Sequence, residues 1–118
     1  MFLYKKSVNK KGNNFLFTDF YFFRTLSYIQ MYKYLVEFLG AAFFVYIILA
    51  TGNPIAIGAA LTFVILLFGN ISGGHINPAV SIVMASAGKL PIGDLVPYCI
   101  SQILGGLVAL EIYKRYKL

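Results

Sequence analysis

Apolar residues fill the middle of this chain without a single charged interruption. Between Phe38 and Gly88 there is no Asp, Glu, Lys or Arg. One crossing of a bilayer needs only about 20 apolar residues, so this run is long enough for more than one crossing. A soluble domain of this length could not hide so much apolar surface. Lipid is therefore the expected solvent of the region.

Helix-breaking residues divide this region into elements. The first predicted helix covers residues 34–51, about 27 Å at 1.5 Å per residue, and ends at Gly52. Asn53 suits the N-cap and Pro54 the first helical position, which predicts a second helix over residues 54–68. Since the turn between them is very short, the two helices are expected to pack antiparallel.

A glycine-rich, polar stretch over residues 69–77 then interrupts the uncharged region. Pro78 restarts a helix over residues 78–87, which at about 15 Å can enter a bilayer but not cross it. Gly88 and Lys89 end it, and a last crossing is predicted over residues 92–113. The pattern predicts an all-α membrane protein, multi-pass and integral, with three transmembrane helices and one re-entrant half-helix.

Composition narrows the chemistry. Only 12% of the residues are charged, and the chain has one Cys and one His. One Cys excludes an intrachain disulfide, and a lone His without a Cys or acidic cluster argues against a metal site or a nucleophilic triad. We therefore expect no enzyme activity and no cofactor. The net charge of +6 borders apolar helices, which favours lipid headgroup contact over nucleic-acid binding.

Residues 1–30 differ from the remainder because Lys, Asn, Phe and Tyr crowd together there. Three interpretations stay open for this N-terminal tail: an interfacial aromatic anchor, a disordered tail, or a stretch upstream of a true start at Met31. The third is slightly favoured, because Met31 directly precedes the membrane core. The membrane domain is accordingly predicted over residues 31–118.

The stretch over residues 69–77 holds the candidate functional site. Non-helical backbone at membrane depth is tolerated only where it is buried in protein or lines a wet cavity. The half-helix that follows begins at Asn77 and Pro78, so its free N–H groups and positive dipole end point at the midplane of the membrane. A positive midplane rich in donors repels cations.

A nine-residue string from Ser72 to Val80, Ser-Gly-Gly-His-Ile-Asn-Pro-Ala-Val, resembles the first pore loop of the aquaporin and aquaglyceroporin family, the major intrinsic proteins. Glu37-Phe38-Leu39-Gly40 and Gln102-Ile103-Leu104-Gly105-Gly106 resemble the helices that flank this loop in the family. The resemblance covers residues 32–113. It implies half of an aquaporin-like inverted-repeat fold, since the family's pore combines two such repeats.

The resemblance also implies a role for each loop residue. Asn77 would offer its amide to passing water, and Pro78 and Ala79 would shape the tip of the half-helix. Glu37 would support the loop by accepting hydrogen bonds from it, and Gln102 by bonding backbone across a helix interface. The carbonyl groups that would accept hydrogen bonds from the water file belong to Gly73, Gly74, His75 and Ile76.

Two further positions bear on selectivity. Ile57 precedes Asn77 by 20 residues, where the resemblance implies an aromatic ring at the narrowest point of water-selective relatives. Val80 stands where the second repeat carries an Arg after its Asn-Pro-Ala. An aliphatic constriction without Arg is expected to be apolar and wider. His75 is read as a fixed hydrogen-bonding residue, with a pH gate as the alternative.

These residues predict passive conduction of water, with glycerol-like neutral solutes as further permeants, by assembly of two or more chains. The partner is expected to be an inverted second copy or a separate second-half chain. Counting from Met31, one membrane face carries two Lys and the other three basic residues, which permits either orientation. Counting from Met1 adds five to the first face and disfavours inverted pairing. The alternative is a non-conducting remnant, a membrane scaffold or a small hole-forming protein.

Overall fold

The computed structural model describes residues 15–116, and within this range every regular element is an α-helix. Three of the helices are long and apolar enough to cross a membrane, which confirms the predicted all-α membrane fold. In chain order the helices are α1 (Phe15–Thr51), α2 (Pro54–Ser72), α3 (Pro78–Ser86) and α4 (Ile92–Arg115).

The first helix starts much earlier than predicted. It begins at Phe15 and not at residue 34, because residues 15–33 contain no Gly or Pro and their charges limit membrane depth but not helix formation. For residues 15–30 the interpretation as a disordered tail is therefore wrong. The interfacial anchor and the later start at Met31 both stay open, and predictions for residues 1–14 lie outside the described residues.

The second helix ends later than predicted, at Ser72 and not at residue 68. Gly73, at φ 93°, provides a left-handed C-cap whose N–H bonds to the carbonyl of Gly69. The helix therefore continues through Gly69 and Asn70, because its end is fixed by the cap and not by the first glycine. The last helix likewise runs two residues beyond its predicted end.

The chain divides into two compact units, residues 1–30 and residues 31–118. In the first unit, the described helical residues expose aromatic side chains, and Phe17 and Tyr21 meet edge to face with ring centroids 4.7 Å apart. The Arg24 guanidinium lies 5.8 Å from the ring centroid of Tyr28. This unit thus combines aromatic rings with a cation, the composition that favours a membrane interface.

Twin Asn-Pro pairs start α2 and α3. The Asn53 Oδ1 accepts from the N–H groups of Ile55 and Ala56, and the Asn77 Oδ1 accepts from the N–H of Ala79. Each Pro occupies a position where an N–H would lack an intrahelical partner. At nine residues, or about 13.5 Å, α3 is too short to cross a bilayer.

The helices of the second unit meet around a small core made by Ala41, Val64 and Ile76. Glycines let the backbones approach: a Cβ at Gly105 would collide with the carbonyl oxygen of Phe38, and one at Gly40 would lie 2.7 Å from Ile76 Cγ2. Most other large apolar side chains are exposed. A small inner core with an apolar exterior fits a lipid environment.

Candidate functional site

The connection between α2 and α3 has an unusual backbone. Three of its residues have positive φ, Gly73 at 93°, Gly74 at 62° and Ile76 at 46°. A β-branched residue in this region is strained by about 1–3 kcal/mol and persists only where its surroundings hold it. The loop must therefore be fixed by strong contacts.

The carboxylate of Glu37 provides those contacts. Glu37 is fully buried, and its two oxygens accept four hydrogen bonds. Oε1 accepts from Ser72 Oγ at 2.6 Å and from the His75 N–H at 2.9 Å. Oε2 accepts from the Ile76 N–H at 2.6 Å and from Gln102 Nε2 at 2.9 Å. One side chain of α1 thus binds α2, the loop and α4 together.

The N–H groups of His75 and Ile76 are hydrogen-bonded to Glu37. The carbonyl groups of the loop are not bound within the protein in this way. Across the described residues, no hydrogen bond is accepted by the carbonyl oxygens of residues 73–76. The loop backbone is therefore polarised, with its donors consumed on the protein side and its acceptors unoccupied.

Gln102 was expected to bond to backbone across a helix interface, but it forms its hydrogen bonds with side chains. Its Nε2 donates to Glu37 and, at 2.8 Å, to Ser81 Oγ. Gln102 Oε1, by contrast, is buried and has no hydrogen-bond partner among residues 15–116. Exchanging its amide oxygen and nitrogen would place the oxygen against the Glu37 carboxylate, so the amide orientation is fixed by electrostatics.

Asn77 is exposed at the tip of α3. Its Oδ1 accepts from the Ala79 N–H at 2.8 Å, so its oxygen is occupied by the cap. Its NH₂ group makes no hydrogen bond to any described residue. Both amide hydrogens are thus available beside the positive end of the α3 dipole. Pro78 is half-buried and Ala79 exposed at the same tip.

The structure does not bring Ile57 or Val80 into this hydrogen-bonded cluster. Ile57 is half-buried in the first turn of α2, about 22 Å along the helix axis from Ser72. Val80 is 40% exposed on α3. Their assignment to the pore wall stays a prediction.

Sequence reasoning missed two residues of the cluster, Ser81 and Tyr98. The Tyr98 hydroxyl donates to the carbonyl of Ser72 at 2.7 Å, and its ring centroid lies 5.4 Å from that of His75. Ser81 is fully buried between His75 and Gln102. The only sequence signal for Tyr98 was helical spacing, because it lies four residues before Gln102 and therefore on the same face of α4.

In the described part of the chain, no three His, Cys, Asp or Glu side chains form a group that could hold a metal ion. The polar groups of the loop are instead donors and acceptors of neutral hydrogen bonds, apart from the one carboxylate that organises them.

Comparison with known proteins decides the family. The family model described as "Major intrinsic protein" matches residues 23–117 of the chain. The chain belongs to the major intrinsic protein family. Members of this family are integral membrane channels and not enzymes, so this major intrinsic protein is a multi-pass membrane protein. No solved structure matches it.

Three relatives illustrate its similarity. It is 39% identical over 95 residues to "Glycerol uptake facilitator protein-like 6" of Lactiplantibacillus plantarum, covering 73% of this chain and 44% of the relative. It is 42% identical over 90 residues to "Aquaporin-8" of Notomys alexis, covering 67% and 34%. It is 44% identical over 61 residues to "Aquaporin Z" of Brucella melitensis, covering 52% and 27%. The matched part thus spans less than half of each relative.

Proposed function

We propose that this chain forms part of a passive transmembrane channel for water and small neutral solutes such as glycerol. The observation that carries the proposal is the polarised loop. Glu37 binds the N–H groups of His75 and Ile76, while the carbonyl oxygens of residues 73–76 and the Asn77 NH₂ group have no hydrogen-bond partner among residues 15–116. Such a row of acceptors ending at a donor suits water molecules that pass in single file.

Donor and acceptors act on a water molecule in opposite senses. A water beside the loop donates to a carbonyl oxygen, and at the α3 tip its oxygen accepts from the Asn77 amide. The N-terminal end of α3 adds partial positive charge at that point, which opposes the passage of cations. The chain thus orients neutral solutes without binding any of them tightly.

A pore of this kind needs a second half-repeat. The chain spans 44% or less of the curated relatives described above, and it presents one Asn-Pro-Ala tip. Our leading hypothesis is an inverted second copy, which would contribute a second Asn77 across the midplane. A separate second-half chain is the other arrangement, and the five extra basic residues within residues 1–30 favour it.

The class of permeant follows from the pore wall. Ile57 and Val80 offer no charge and no ring at the positions assigned to the filter. One similar protein is called a glycerol uptake facilitator and others are called aquaporins, so both water and glycerol are proposed permeants.

The test exploits the twin Asn-Pro caps. Asn77→Asp keeps the shape and the capping oxygen but replaces both donors by an acceptor, and Asn53→Asp makes the same change at the start of α2, away from the loop. Osmotic shrinkage of liposomes into which the full chain has been reconstituted in both orientations should be faster than that of empty vesicles. Asn77→Asp should slow it by roughly five- to tenfold, the value of one hydrogen bond, whereas Asn53→Asp should leave it unchanged.

Equal slowing by both variants would refute the role of Asn77. Shrinkage no faster than in empty vesicles, with the chain correctly inserted, would refute self-assembly. In that case, co-reconstitution with a second half-repeat that carries Asn-Pro-Ala-Arg distinguishes a two-chain pore from a non-conducting remnant.

A further inference from the structure

Ser81 lies between two polar side chains, Gln102 on α4 and His75 in the loop. It is fully buried. Its Oγ lies 2.8 Å from Gln102 Nε2 and 3.1 Å from His75 Nδ1. The direction of the hydrogen bond to His75 determines which ring nitrogen carries a hydrogen, since a neutral imidazole has one donor and one acceptor.

Gln102 fixes the first direction. Its NH₂ group has two hydrogens, and these go to Glu37 Oε2 and Ser81 Oγ. Ser81 Oγ is therefore an acceptor toward Gln102. The single hydroxyl hydrogen of Ser81 must then find an acceptor elsewhere, because burial excludes water from it.

Only His75 Nδ1 can take this hydrogen. Within residues 15–116, Ser81 Oγ has no other hydrogen-bond acceptor, and Gln102 Oε1 has no hydrogen-bond partner. If Nδ1 carried a hydrogen, it would face Ser81 as a donor and leave the buried hydroxyl hydrogen unpaired. That arrangement is disfavoured by on the order of tenfold.

We propose that Ser81 is a positioning residue that holds His75 as the Nε2–H tautomer. The Nε2 atom lies on the opposite edge of the ring, 2.9 Å from the place that a Cβ on Gly73 would occupy. It makes no hydrogen bond within residues 15–116, and it is not fully buried. Ser81 thus presents an accessible N–H donor on the open side of the loop.

The polar groups of Glu37 and Tyr98 that lie near His75 are committed to other partners. Glu37 Oε1 accepts hydrogen bonds from Ser72 Oγ and from the backbone N–H of His75, and not from the imidazole ring. The Tyr98 ring packs against the imidazole, and its hydroxyl is committed to the Ser72 carbonyl. Neither group offers the ring an acceptor that would compete with Ser81.

The consequence for permeation rests on the proposed function. Next to the unoccupied carbonyl oxygens, an accessible Nε2–H gives a passing water a donor before it reaches Asn77. The tautomer itself is a property of the chain alone and can be measured whether or not the channel conducts.

The chain has one histidine, so nitrogen NMR of ¹⁵N-histidine-labelled full chain in liposomes reports this ring without assignment. We expect the one-bond N–H coupling at Nε2 and an acceptor-type Nδ1. Ser81→Ala should produce a mixture of both tautomers, a shift of roughly tenfold in their ratio. Ser81→Thr keeps the hydroxyl and should restore the Nε2–H form. Size-exclusion chromatography in detergent verifies that each variant is folded.

A wild-type ring protonated at Nδ1, or a tautomer ratio unchanged in folded Ser81→Ala, would overturn the proposal. Osmotic shrinkage measured on the same liposomes separates it from the proposed function. The expected tautomer in vesicles that do not conduct leaves the role of Ser81 standing and contradicts a pore assembled from this chain alone. Conducting vesicles with an unaffected tautomer do the reverse.

Discussion

Replacing Glu37 by Gln exchanges one carboxylate oxygen for an NH₂ group at the point where four donors converge. The best orientation of the new amide keeps its oxygen toward the Ile76 N–H and Gln102, and turns its NH₂ toward Ser72, whose hydroxyl can rotate to accept. The His75 N–H, which is now 2.9 Å from Glu37 Oε1, then loses its acceptor. No orientation of a glutamine satisfies all four groups.

The magnitude follows from these bonds. An unpaired buried N–H costs about 1–3 kcal/mol, and each of the two remaining bonds loses about 1 kcal/mol when its acceptor is no longer charged. Because α1 stays in lipid when the helices separate, the substitution recovers little desolvation free energy. We therefore expect Glu37→Gln to lower the free energy of unfolding by about 3–5 kcal/mol.

SDS-induced unfolding in mixed micelles, followed by the near-ultraviolet circular dichroism of the tyrosines, measures this difference. Glu111→Gln is the matched control, since the Glu111 side chain is 59% exposed and forms an i,i+3 ion pair with Lys114 at the surface. It should change stability by less than about 1 kcal/mol. The reasoning fails if the two variants unfold within about 1 kcal/mol of each other.

Two further predictions concern packing and orientation. Gly105→Ala should destabilise the fold by about 1–3 kcal/mol, because the new methyl group collides with the Phe38 carbonyl oxygen, whereas Gly93→Ala in the same helix has open space and should be neutral or stabilising in the same unfolding assay. In a cysteine-free background, Lys89→Cys and Thr51→Cys mark opposite membrane faces. Each cysteine should be labelled by an impermeant maleimide from one side only in the full chain, and from both sides in a chain that begins at Met31. Labelling of the full chain from both sides would contradict the charge argument.

The starts of α2 and α3 could be predicted from sequence because they depend on adjacent residues. Asn53 and Asn77 each bond within three residues, and each is followed by Pro. The start of α1 could not be predicted in the same way, because hydropathy reports where a helix leaves lipid and not where its backbone bonds end. The end of α2 depended on the conformation of Gly73, which one-dimensional patterns do not encode.

The candidate site divides along the same line. Glu37 stands out in the sequence as a charge among apolar residues, so its importance was visible. The resemblance also implied that Glu37 accepts hydrogen bonds from the loop. Its bond with Gln102 was not predicted, because Gln102 lies 65 residues away and reaches Glu37 through a side chain. Ser81 and Tyr98 resemble ordinary helix residues in sequence, and only tertiary packing shows that one reaches His75 and the other reaches Ser72.

The four hydrogen bonds of Glu37 also have a consequence for the order of events during biosynthesis. At a ribosomal rate of about 5–20 residues per second, the loop leaves the ribosome about 2–8 s after Glu37, and Gln102 about 3–13 s after it. During that interval the carboxylate of a nascent α1 has no partner from its own chain. Insertion of this helix therefore precedes the groups that compensate its charge.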